Sequence, residues 1–184
     1  MMPISDLINY YGPLNDDVER CLVGIETGED REYWHRSYLR CLCTFVEARV
    51  HLLKMELKVN DHLIDHTKLS PEIFGFLEGT EWSVIENGEI KSRVKIIPPA
   101  DELKAVIKIL GSFYPKLLWD FSSQRWSRVK ALYKSRNALV HPKKPEDLSI
   151  TDVEIQNFEQ FRSDFLHWSA SIYAEAWGEP EGHP

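Results

Sequence analysis

The segment Arg136-Asn137-Ala138-Leu139-Val140-His141-Pro142 combines residue types that can do chemistry on a phosphodiester. An arginine fork matches phosphate oxygens and keeps its charge throughout. An imidazole exchanges its proton near neutrality and serves as base or acid. Metal-free cleavage of RNA needs both: a base for the 2′-hydroxyl, and a donor for the charge that gathers on the phosphorus oxygens. Attack by that hydroxyl expels the 5′-oxygen and leaves a 2′,3′-cyclic phosphate, which would make DNA a poor substrate. Asn137 and His141 are four apart and share a helix face, so the amide could orient the imidazole or a bound phosphate. The plainer alternative is capping and surface chemistry.

The elements around the segment set what these residues can reach. Pro142 disfavours helical geometry at the residue before it, so a helix arriving from about Leu117 should stop at or near His141. Its C-terminus favours a cationic imidazole. In a straight helix Arg136 and His141 stand about 140° apart, a restriction that ending the helix at His141 relaxes. From Phe121 to Pro145 the chain carries seven basic residues, Arg125, Arg128, Lys130, Lys134, Arg136, Lys143 and Lys144, and no acidic one. Net charge over the whole chain is −7. A cationic strip on an acidic body attracts phosphate locally and limits indiscriminate binding elsewhere. Alternatively the strip is a solvated face paired with acidic neighbours.

Length predicts one domain over residues 1–184, and the pattern along it is mainly helical. Residues 1–30 read as an irregular or short-helical lead-in, punctuated by Gly12-Pro13 and Gly28-Glu29-Asp30. A long helix is expected over about Arg31–Val59. A short one follows, with Ser70 as N-cap, Pro71 in the first turn and Gly79 as its stop. A β-hairpin is expected at about residues 82–97, turning at Asn87-Gly88. The next helix runs from about Asp101 to Phe113, and Pro115 breaks it. Thr151-Asp152-Val153-Glu154 has capping-box form and opens a last helix striped by Phe158, Phe161, Phe165, Trp168 and Ile172. Residues 178–184 read as a loose tail. The sum is a bundle of four to five helices with an inserted hairpin.

Arg136, Asn137 and His141 at a helix end resemble the signature of the HEPN superfamily (higher eukaryote and prokaryote nucleotide-binding domains), and the long early helix and aromatic closing helix are similar too. The resemblance covers most of residues 31–177. It implies a metal-independent endoribonuclease, a toxin or defence effector, with a non-catalytic module binding RNA or a protein as the alternative. It also implies a homodimer with a composite site, and leaves room for an antitoxin or regulatory partner. Glu47, in Phe45-Val46-Glu47-Ala48, resembles the acid that many members place facing the site; it could instead pair with Arg49, Arg40 or a neighbouring helix. Arg125, Arg128, Lys143 and Lys144 would then bind flanking phosphates.

Other chemistries have less support. Asp61-His62-Leu63-Ile64-Asp65-His66 would place two imidazoles on one face if helical, with His51 or His35 as a third metal ligand; a polar helix end is the alternative. No nucleotide-binding loop is read, since no Gly-rich phosphate cradle occurs, and no metal or cofactor is expected. Trp126 could be core or a stacking platform. Cys21, Cys41 and Cys43 are odd in number; Cys41 and Cys43 point to different faces and suit no bridge, so reduced thiols are expected. No targeting segment or membrane-length apolar run occurs, and a soluble cytoplasmic protein is expected.

Overall fold

The computed structural model describes Ile4–Trp177 apart from Ile85, Asn87 and Gly88. The described residues are mainly helical, with six α-helices and one two-stranded sheet. They are α1 (Ile4–Thr27), α2 (Arg31–Val59), α3 (Pro71–Glu78), β1 (Thr80–Val84), β2 (Ile90–Val94), α4 (Pro99–Phe113), α5 (Gln124–Val140) and α6 (Asp152–Trp177). None of these helices is long and apolar enough to cross a membrane. They divide into two compact units, one within Met1–Arg49 and Trp119–Ala170, the other within Val50–Leu118 and Ser171–Pro184.

In the first unit, apolar faces rather than local propensity decide the helices. Val18 and Cys21 of α1 are buried, as are Tyr38, Leu39, Leu42, Phe45 and Val46 of α2. This corrects the reading of residues 1–30 as a lead-in and raises the helix count from four or five to six. Pro13 lies inside α1, where it forgoes one backbone hydrogen bond. At the corner between α1 and α2, a Cβ on Gly24 would stand 2.2 Å from the Trp34 ring, so only glycine admits the indole there. Thr151 and Glu154 form the expected capping box, each side chain accepting from the other's backbone N–H at 3.2 and 2.9 Å. The α6 aromatics Phe158, Phe161, Phe165 and Trp168 are buried.

The start of α5 also differs from expectation. Pro115–Leu117 is a separate 3-10 turn, and α5 begins only at Gln124. Asp120 accounts for the delay, since its carboxylate accepts from the Ser122 N–H at 2.8 Å and hydroxyl at 2.6 Å. Such a local turn competes with helix. Ser123 then caps α5 by accepting from the Trp126 N–H.

The second unit packs Leu53, Leu57, Leu63, Leu103, Ile107 and Leu110 into its core. Lys54 is buried there, 2.6 Å from Glu102 and over the Phe76 ring at 4.6 Å. Ser70 caps α3, and Gly79 closes it at φ 68°, the left-handed region that favours glycine. β1 and β2 pair antiparallel in register, Thr80 opposite Val94 and Val84 opposite Ile90. The expected turn residues Asn87 and Gly88, and the expected tail at 178–184, lie outside the described residues.

Candidate functional site

The buried face of α5, formed by Trp126, Val129, Leu132, Tyr133 and Leu139, fixes how the helix presents its polar residues. Arg136 follows that inward face. Its guanidinium lies 3.9 Å from the Glu47 carboxylate of α2, with the two side chains 33 % and 34 % exposed. It also donates to the Asn137 side-chain oxygen at 3.2 Å. Cys43, one turn before Glu47, registers the same cluster. Burial and the Glu47 charge push its thiol up to about 12, while Arg136 pulls the other way.

α5 ends where Pro142 dictates. His141 is the C-cap, with its backbone N–H donated to the Asn137 carbonyl at 3.0 Å. Its side chain is exposed, and among the described residues the imidazole takes part in no hydrogen bond or ion pair. Asn137 therefore engages Arg136 rather than orienting the imidazole. Counting about 100° per residue, Lys130, Lys134, Asn137 and His141 fall within about 60° of one another on the helix, while Arg136 lies about 140° from His141. All four are exposed. Lys130 and Lys134 were not singled out from sequence, although their spacing from His141 carried the signal.

The residues expected to bind flanking phosphates separate into two sets. Arg125 and Arg128 both reach the Asp164 carboxylate of α6, at 3.6 and 3.4 Å, and Arg125 also lies 5.0 Å from the Trp119 ring centroid. One carboxylate thus offsets one of their two positive charges. Lys143 and Lys144 are exposed, and their backbone N–H groups donate to Asp147 at 2.8 and 3.2 Å. That carboxylate staples the loop leaving His141. Further on, buried His35 of α2 donates from Nδ1 to the Ile150 carbonyl at 2.7 Å. Its Nε2 lies 3.2 Å from Asp152, which Arg31 also reaches at 3.0 Å.

Trp126 is buried, edge-on to Phe121 at 5.0 Å, so it is core rather than a stacking platform. The paired histidines do not share a helix face. His62 follows α2 in a turn, whereas His66 opens a 3-10 turn. The His66 ring is held by the Leu57 carbonyl at 2.7 Å and by Asp61 at 2.5 Å. Among the described residues no three His, Cys, Asp or Glu side chains cluster as metal ligands would. No protein-family model matches the chain, and neither a curated protein nor a solved structure matches it.

Proposed function

We propose that the chain is a HEPN-type, metal-independent endoribonuclease, acting in the cytoplasm as a toxin or defence effector under the control of an antitoxin or regulatory protein. The observation that carries this reading is the exposed His141 imidazole, without a hydrogen-bond or ion-pair partner among the described residues and on one face with Lys130, Lys134 and Asn137. An exposed imidazole with no such partner has both ring nitrogens open to a substrate.

In the proposed reaction His141 takes the proton of the 2′-hydroxyl. The resulting oxygen attacks phosphorus, and the 5′-oxygen leaves with a proton. Arg136, oriented by Glu47, stabilises the charged phosphoryl oxygens, and Asn137 adds an amide donor. Arg136 and His141 diverge on α5, so a composite cleft in a homodimer is part of the proposal. The second copy brings its arginine and imidazole toward the same phosphate and supplies the acid for the leaving oxygen.

The test is cleavage of single-stranded RNA in excess EDTA. Cyclic-phosphate ends are expected, with a 2′-deoxy substrate left intact. His141→Ala should lower the rate at least 100-fold, in keeping with loss of a general base, without altering the circular dichroism. Undiminished cutting by that variant would remove His141 from the chemistry. A second reading, binding without turnover, is favoured by Arg136 being already engaged with Glu47. It predicts salt-sensitive RNA binding, weakened in Arg136→Ala, with no cleavage products.

A further inference from the structure

Cys21 of α1 and Cys41 of α2 bring their sulfur atoms to 3.8 Å. Both thiols are free. Cys21 is 5 % exposed, and Cys41 is the more exposed residue of the two, half-buried. A disulfide bond is about 2.05 Å long, so the sulfurs would have to approach by about 1.8 Å. The backbone between them turns once, through Gly28-Glu29-Asp30, and the Gly24–Trp34 contact holds the two helices together at that corner. Cys43 takes no part. It is buried beside Glu47, in the cluster that Arg136 completes.

The geometry points to Cys21 and Cys41 as a disulfide-forming modification site that reacts with low-molecular-weight disulfides and ties α1 covalently to α2. The first step belongs to the more exposed residue, Cys41. The Cys41 thiolate attacks one sulfur of the small disulfide, whose S–S bond breaks to release one thiolate. Cys21, on losing its proton, then attacks the Cys41 sulfur and displaces the second thiolate. Two cysteine thiols are oxidised to one disulfide, the reagent is reduced to two thiols, and both cysteine protons end on those products. Cys21 suits the second step. Burial, then the neighbouring Cys41 charge, push its thiol up to about 12, and capping Cys41 removes that charge. Ring closure should therefore be the slower step, accelerating about tenfold per pH unit as the thiolate fraction grows.

The experiment incubates the full, reduced chain with oxidised glutathione at pH 8, quenches with acid, and reads intact mass and non-reduced peptides. The expected result is a mass loss of about 2 Da, the two thiol hydrogens, and a peptide linking Cys21 to Cys41. Cys43→Ala should keep that product. Cys21→Ala and Cys21→Ser should instead stop at one glutathione adduct on Cys41, which circular dichroism would show on folded protein. A wild-type adduct on Cys41 that never closes, a disulfide between two chains, or an unmodified chain would each overturn the proposal. None of these readings depends on RNA cleavage.

Discussion

At the scale of single residues, the site is a set of competitions for charge. Arg136 is shared between Glu47 and Asn137, so its guanidinium is held in place before any phosphate arrives. Both partners of the ion pair are about one-third exposed, and such pairs contribute at most about 1 kcal/mol to folding. Glu47→Gln should therefore shift the urea midpoint only slightly, yet slow RNA cutting at least tenfold by releasing Arg136, as misplaced transition-state donors do. A large loss of stability with unchanged cutting would mean that Glu47 serves the fold alone. The position of His141 was legible because Pro142 acts locally on the residue before it. The state of Arg125 and Arg128 was not. Their strip is acid-free along the sequence, but Asp164 arrives from α6, and no window around residues 121–145 contains it. Cys21 and Cys41 were overlooked as a pair for the same reason, since only the packing of α1 on α2 brings them together.

At the scale of elements, caps were readable and packing was not. Ser70, Gly79, Thr151 and Glu154 act within a few residues of themselves, and they sit where their types predict. α1 was hidden because Gly12-Pro13 looks like a stop, while the burial that overrides it is tertiary. Gly24 makes that packing testable. In an exposed helix, Gly→Ala stabilises by about 1 kcal/mol. Here the new methyl would enter the Trp34 ring at 2.2 Å, and overpacking costs about 1–3 kcal/mol. Gly24→Ala should thus lower the thermal midpoint. A rise would show that the indole moves aside freely. In the second unit, Glu102→Gln would leave buried Lys54 without its anion. A charged hydrogen bond of that kind contributes about 2 kcal/mol, and urea denaturation should register a loss of that order.

For the molecule as a whole, protons and salt report on how charge is distributed. Cys21 and Cys43 are both raised to about 12 in the folded chain, whereas an exposed thiol ionises near 8.5. The folded state keeps protons that the unfolded state releases. Their contribution to stability is complete below about pH 8.5 and is lost as pH rises toward 12. In reducing buffer the urea midpoint should fall across that range, and less steeply in Cys43→Ala. An identical slope in that variant would exclude Cys43 from the linkage. Salt reports on the cationic face. The chain is acidic, at −7, and Arg125 and Arg128 are both held by Asp164. On the proposed reading, flanking phosphates beyond the one held by Arg136 would meet the exposed Lys130, Lys134, Lys143 and Lys144. Each phosphate neutralised on a single strand contributes about −0.7 to the slope of log K against log salt, so these lysines together should give about −3. A non-cleavable 2′-O-methyl RNA isolates binding from turnover. With it, Lys130→Gln combined with Lys134→Gln should make the slope shallower by roughly 1.4, whereas Arg125→Gln should leave it nearly unchanged. The opposite pattern would place the nucleic acid across Asp164 and away from the face that carries His141.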